Sequence, residues 1–285
     1  MARVCQKDFP ITDGFYMDGY LKDNMDILVD SIVNDFDFVI LVSGNGGVRM
    51  GKSVLGGMQI GYYLNSQVKE KHGIDNPFTL DNFVFRGEEL IKVAKTLPPY
   101  SVIVYDEAGS DLVGRKTMHT TTQALLDFFR EVGQLNLFLI CILPDFFDLA
   151  KSIALTRSIC LIDVDFRERF NRGKFSFYSK KSKKYLYLKG KRWLDYDAQS
   201  ADFEGIFVDF YTLDEKRYRE LKRMALEGRE RDAANKVSDK QKRLSNHRTE
   251  LIRWLNEKGE SQENIAEKLG VSQAEISRII NGELK

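Results

Sequence analysis

Asp37-Phe-Val-Ile-Leu-Val-Ser43 runs directly into Gly44-Asn-Gly-Gly-Val-Arg-Met-Gly-Lys-Ser53. The first seven residues form a short, mostly apolar run, as expected of a strand buried on both faces. Within the second stretch, Gly46 to Ser53 fit the pattern GxxxxGK[ST] of a phosphate-binding loop. The glycines (Gly46, Gly47 and Gly51) let backbone N–H groups turn inward around a di- or triphosphate. Lys52 has the reach for the β- and γ-phosphates, and the Ser53 hydroxyl can ligate Mg²⁺. Residues 52–65 (KSVLGGMQIGYYLN) read as a helix whose N-terminus faces the phosphates. Strand, loop and helix in this order predict a site for ATP and Mg²⁺.

The length of 285 residues suits one large domain and a small one. A net charge of +1 gives no global signature of nucleic-acid binding, so any such surface must be local. Cys5, Cys141 and Cys160 have no metal-ligand spacing, and the latter two lie in apolar runs as buried thiols do. The first residues (MARVCQKDFPITDG) show no signal-peptide pattern. Leu137 to Leu143 is the longest apolar run, far short of the roughly 20 residues of a membrane helix. The expectation is a soluble cytoplasmic protein without a membrane segment.

Outward from the loop, strands and helices alternate. Helices are predicted at 20–34, 87–97, 119–133 and 145–154, and strands at 83–85, 101–105, 135–143 and 158–164. This order predicts an α/β fold, a parallel sheet with helices on both faces. Beyond residue 170, Lys174-Phe-Ser-Phe-Tyr178 and Lys184-Tyr-Leu-Tyr-Leu188 alternate around a Lys-rich turn and read as a β-hairpin. A charged helix is expected at 213–227, packed by Tyr218, Leu221 and Leu226. Residues 228–245 read as a basic polar linker or a solvated helix. The predicted domains are therefore 1–227, with the nucleotide site, and 246–285.

The second chemical motif is Val102-Ile-Val-Tyr-Asp106-Glu107, an apolar strand ending in two acids, the Walker B pattern. Asp106 would hold Mg²⁺ through water and Glu107 would activate the water that attacks the γ-phosphate. A strand and a helix lie between the two motifs, as in additional-strand ATPases with a RecA-like core. Gly109 to Thr121 follows as a polar loop, then a helix with Arg130, then an apolar strand. This order resembles the FtsK–HerA branch of DNA-pumping ATPases, and especially the phage-associated zonular-occludens-toxin-like proteins, over roughly residues 35–195. The resemblance implies an oligomeric ATPase, with a hexamer as the expected ring. Such a ring needs an arginine reaching a neighbour's γ-phosphate; Arg115, Arg130 and Arg157 are candidates by position, each with an ordinary surface or salt-bridged arginine as the alternative. Arg49 either contacts phosphate or faces solvent. Two departures stand out: the strand after Walker B ends Cys141-Ile-Leu-Pro-Asp145 without the branch's usual polar Gln, leaving Asp145 as a substitute, and no membrane helix is present.

The third motif spans Ser261 to Ile280 and resembles the helix-turn-helix of phage repressors and resolvases. Ala266 is small where helices cross, Gly270 can take positive φ, and Ser272 with Glu275 makes a capping box. Ile265, Leu269, Val271, Ile276 and Ile279 supply apolar contacts. A helix at 246–258 with Leu251, Ile252, Trp254 and Leu255 completes a trihelical core. Its recognition helix would present Gln273, Ala274, Ser277 and Arg278 to the DNA major groove. Lys236, Lys240, Lys242, Arg243, Arg248 and Arg253 would contact phosphates. The bland alternative is a module for protein contacts.

Together the motifs predict an ATP-hydrolysing, DNA-binding homo-oligomeric translocase or packaging-type ATPase of phage or mobile-element origin. The alternative is an ATP-switched, site-specific DNA-binding accessory factor. His72, His119 and His247 form no catalytic grouping, and no nuclease domain is evident.

Overall fold

The computed structural model describes residues 16–45, 47, 49–110, 112, 120–167 and 171–281. Gly46, Arg115 and His119 lie outside the described residues, as do the side chains of Lys236, Lys240 and Lys242. The chain divides into two compact units, Met1–Glu220 and Leu221–Lys285.

The first unit is built on one seven-stranded sheet in the order β2-β3-β4-β1-β5-β6-β7. Its strands are β1 (Phe38–Ser43), β2 (Phe83–Val84), β3 (Val102–Tyr105), β4 (Phe138–Ile142), β5 (Cys160–Phe166), β6 (Arg172–Ser179) and β7 (Phe203–Ile206). The first five pair in parallel; β6 and β7 add an antiparallel edge to the expected parallel sheet. All six residues of β1 are buried, which is why its run has no polar alternation. Val39 and Leu41 join Ile103, Leu139 and Leu161 in a core under α3 (Gly87–Thr96) and α4 (Thr120–Glu131). The opposite face meets the wide π-type turns Ser53–Ile60, which run on into α2 (Gly61–His72). These turns lie tight on the sheet: a Cβ on Gly56 would come within 2.7 Å of Val42. Before β1, α1 (Gly19–Ile32) is capped by Asp18, which accepts from the amides of Tyr20 and Leu21.

Three expectations need correction. The hairpin at 174–188 is absent: β6 ends at Ser179 and α5 (Lys180–Gly190) follows. Ser182, Lys183, Leu186, Tyr187 and Gly190 are buried at helical spacing, so period 3.6 wins over the apparent alternation. Lys183 makes this possible by donating to Ala154 O at 2.5 Å and Ser158 Oγ at 2.8 Å, burial pushing its ammonium down to about 8. The helix expected at 145–154 gives way to turns, with helical turns only over 151–157. There the amides of Phe146 and Phe147 are taken by Tyr196 Oη and Asp145 Oδ1, both at close to ideal distance. Finally, of the two readings of 228–245 the helix holds and the linker does not, because α6 runs from Glu215 to Glu257. Residues 229–245 contain no Gly or Pro, and pairs such as Arg231 with Glu227 support the helix at i,i+4. Of its three expected packing residues only Tyr218 is buried, Leu226 being 43% exposed.

In the second unit, α7 (Gln262–Leu269) and α8 (Gln273–Ile280) follow the end of α6. Ile252, Ile265, Ala266, Ile276 and Ile279 form its core, flanked by Leu255, Leu269, Val271 and Ile280. Leu251 and Trp254, expected in that core, are 43% and 52% exposed. They flank the face that carries Ile252 and Leu255, at the edge of the part the core covers. Gly270 closes α7 at φ +64°, a conformation glycine adopts without steric cost.

Candidate functional site

The turn after β1 and the end of β3 bring the two sequence motifs together. Parallel strands all point their C-terminal ends to one edge of the sheet, where an open α/β fold binds ligands. Ser53 opens the helix after the glycine-rich loop, and Asp106 follows β3, with its amide tied to Val84 O at 2.9 Å. Ser53 Oγ donates to Asp106 Oδ2 at 3.1 Å. Asp106 is fully buried, and its Oδ1 accepts the Glu107 amide at 2.9 Å. A hydroxyl and a carboxylate oxygen this close are the hard donor set that Mg²⁺ takes, so these residues fit that ion.

Within the loop, Lys52 Nζ donates to Gly47 O at 2.6 Å. Gly51 has φ +98°, and a Cβ there would approach Phe207 to 2.9 Å. Arg49 is exposed, which favours the solvent-facing alternative for its side chain, and its carbonyl accepts from Arg172 Nε at 2.5 Å. Glu107 is half-buried at φ +65°. A non-glycine residue held there costs roughly 1–3 kcal/mol, a strain typical of functional positions.

Four residues that sequence reasoning did not assign to the site belong to it. Tyr218, expected only as packing, donates its phenol to Asp106 Oδ2. Its ring lies against Phe83 and Phe85, and burial, then the Asp106 charge, pushes its pKa up. Asp163 pairs with Ser43 in the β1–β5 register, and Ser43 Oγ donates to Asp163 Oδ1 at 2.8 Å. Burial pushes Asp163 up to about 6, against the opposing pull of Ser43, the Asn45 amide and the nearby Lys52 charge. Arg172 is the fourth, as the clamp on the loop carbonyl. The signals were present as a buried acid within an otherwise apolar stretch of strand and a tyrosine among charged helix residues.

Other candidates are occupied elsewhere. Asp145 accepts from the Phe147 amide and from Tyr196 Oη, at 2.8 and 2.9 Å. Arg157 pairs with Asp37, at the end of β1 away from the loop. Arg130 is exposed and pairs with Asp127 at 2.6 Å.

In the second unit, the Ser261 and Ser272 hydroxyls each accept the amide three residues on, at 3.3 Å. The reciprocal half of the expected capping box is replaced, since the Glu275 carboxylate takes Arg248 Nη2 at 2.6 Å. Gln273, Ala274 and Arg278 are exposed on α8, and Ser277 is half-buried.

Fold and site define an α/β protein of the phosphate-loop type with a C-terminal helix-turn-helix. Residues 251–285 match the family HTH_3, Helix-turn-helix. No curated protein matches the chain. Among solved structures it is similar to the genome packaging NTPase B204 from Sulfolobus turreted icosahedral virus 2 in complex with ATP-gammaS, at 15% identity and TM-score 0.35, over 52% of this chain and 94% of that one. It is also similar to the N-terminal domain of zonular occludens toxin from Neisseria meningitidis, at 10% identity and TM-score 0.38, over 65% of this chain and 98% of that one. No helix among the described residues is long and apolar enough to cross a membrane.

Proposed function

We propose that this chain is a Mg²⁺-dependent ATPase that acts on DNA, with hydrolysis in the first unit and DNA binding in the second. The observation that carries the reading is the 3.1 Å contact between Ser53 and Asp106, two residues 53 apart in sequence. Only a nucleotide site has reason to join the serine after a GxxxxGK loop to the first acid after an apolar strand.

In this reading Gly46, Gly47 and Gly51 shape the cradle for the phosphates of ATP, and Lys52 neutralises the β- and γ-oxygens. Ser53 and Asp106 hold Mg²⁺. When bound, Mg²⁺ supplies charge neutralisation at the transferring phosphoryl group. Glu107 accepts a proton from the attacking water, its backbone amide held by Asp106 Oδ1 at 2.9 Å. Gln273, Ala274, Ser277 and Arg278 read base edges, while Arg243 and Arg253 contact phosphates. Buried thiols at Cys141 and Cys160 suit a reducing cytoplasm.

The motif order supports a homo-oligomeric translocase or packaging motor of phage or mobile-element type. An ATP-switched DNA-binding factor is the second reading, favoured by the engagement of Arg130 and Arg157 in intramolecular pairs. The test is ATP hydrolysis with and without long duplex DNA, beside Lys52→Ala and Glu107→Gln. Stimulation that rises with duplex length and is lost in both variants supports the motor. Slow turnover indifferent to DNA length supports the switch, and turnover unaffected by Lys52→Ala overturns both.

A further inference from the structure

The solvent face of α5 carries an unneutralised row of cations. Residues 180–194 (KKSKKYLYLKGKRWL) contain no acid, although the whole chain is nearly neutral, with 43 basic and 42 acidic residues. Lys183 turns inward, to Ala154 and Ser158, and Lys191 donates to the Tyr187 hydroxyl. Lys180, Lys181, Lys184, Lys189, Lys191 and Arg192 are all exposed. Among the described residues none of these six makes an ion pair, in contrast to Lys174, which pairs with Glu204 at 3.1 Å on the neighbouring strands. Tyr185, Leu188 and Trp193 are interleaved with them, Trp193 being 74% exposed beneath the Arg192 guanidinium at 4.9 Å.

Cations at such density without an acidic partner repel one another and are stabilised by a polyanion. From Lys180 to Lys189 the helix rises about 13 Å, a span that meets several phosphates of a duplex carrying one charge per about 3.4 Å of axis on each strand. A membrane-seated helix would need a continuous apolar face, whereas the exposed apolar side chains here are separated by lysines. We propose that this face of α5, with the segment through Trp193, is a DNA-backbone contact on the first unit, separate from the helix-turn-helix. It binds without reading sequence, through phosphates, with Tyr185 and Trp193 available to stack on sugars or unpaired bases. The choice of DNA as the polyanion rests on the DNA-binding reading above.

The experiment uses the full chain and a labelled mixed-sequence duplex of about 60 base pairs, titrated between about 50 and 200 mM salt. Four proteins are compared: wild type, Lys180→Glu/Lys184→Glu/Lys189→Glu, Gln273→Ala/Arg278→Ala, and their combination, with melting curves confirming that each is folded. Lys180→Gln/Lys184→Gln/Lys189→Gln serves in place of the Glu variant if the reversed charges unfold it. The expected result is that the lysine variant lowers the slope of log affinity against log salt by about 3, while the helix 8 variant keeps the remaining slope. An unchanged slope in the lysine variant overturns the proposal and leaves the helix-turn-helix reading intact. Complete loss in the lysine variant with none in the helix 8 variant keeps the proposal and overturns DNA reading by α8. Unchanged DNA binding with lost binding to phosphatidylserine vesicles assigns the face to a membrane and overturns it too.

Discussion

The phenol of Tyr218 donates to Oδ2 of Asp106, the same carboxylate oxygen that accepts from Ser53 Oγ at 3.1 Å. Tyr218 belongs to the first turns of α6 and is 3% exposed, held edge-on to Phe83 at 5.6 Å. It therefore fixes the rotamer of a buried carboxylate that would hold Mg²⁺. Tyr218→Phe keeps the ring packing and removes only the hydroxyl. The Mg²⁺ concentration for half-maximal hydrolysis should rise about fivefold, the equivalent of one lost hydrogen bond. The Michaelis constant for ATP at saturating Mg²⁺ should stay near wild type. An unchanged magnesium titration would leave Tyr218 a packing residue only.

Asp163 gives the first unit a pH signature. Its folded pKa, pushed up to about 6 by burial, lies above the ordinary 3.8. Between those values the folded chain holds the proton more tightly than the unfolded chain. Stability from this residue is thus full below about pH 4, falls as pH climbs to about 6, and stays reduced above. The gap corresponds to roughly 3 kcal/mol. Asp163→Asn does not titrate, so the difference in melting temperature between variant and wild type should shift steadily between about pH 4 and 6 and be constant from 6 to 8. A difference independent of pH would show that Asp163 stays ionised throughout.

Much of this site was legible because its chemistry is local in sequence. The loop Gly44–Ser53 and the pair Asp106–Glu107 each follow an apolar strand, and strand ends sit at one sheet edge by topology alone. Tyr218 and Asp163 were not legible, because their roles depend on long-range pairing: Tyr218 lies 112 residues from Asp106, and Asp163 lies 120 from Ser43. The misread hairpin has a different cause. Alternation in Lys184-Tyr-Leu-Tyr-Leu188 fits a strand or a helix over so short a run, and the deciding fact is a buried lysine that sequence rules assign to the surface.

Arg172 sits at the start of β6 and reaches back to the phosphate loop. Its Nε holds the Arg49 carbonyl at 2.5 Å, while Nη1 pairs with Asp209 at 3.1 Å. Arg49 itself is at φ +59°, so this carbonyl anchors a strained turn. Arg172→Ala should loosen the loop, raising the Michaelis constant for ATP about fivefold and leaving kcat near wild type, since ordering the loop then falls on the bound nucleotide. Arg172→Lys, which keeps the charge but not the fixed fork, should recover little. A fall in kcat at an unchanged Michaelis constant would instead assign Arg172 to the chemical step.

The helix-turn-helix allows fold and contact to be separated. Arg278 is exposed, whereas Ser272 caps α8 by accepting the Glu275 amide at 3.3 Å. Arg278→Ala should weaken specific DNA binding by about 1–3 kcal/mol without lowering the melting temperature of the second unit. Ser272→Ala should destabilise that unit by about 1 kcal/mol, and reduce DNA binding only as far as it unfolds the module. Glu275 complicates this contrast usefully, because its carboxylate also holds Arg248 at 2.6 Å. Glu275→Gln should release Arg248 toward phosphate, so duplex affinity should hold or rise even as the module loses a surface ion pair worth at most about 1 kcal/mol. Electrophoretic shift with a selected site, beside thermal melting of each variant, reads both quantities. A parallel loss of stability and affinity in Arg278→Ala would mean that α8 serves the fold and that DNA is read elsewhere.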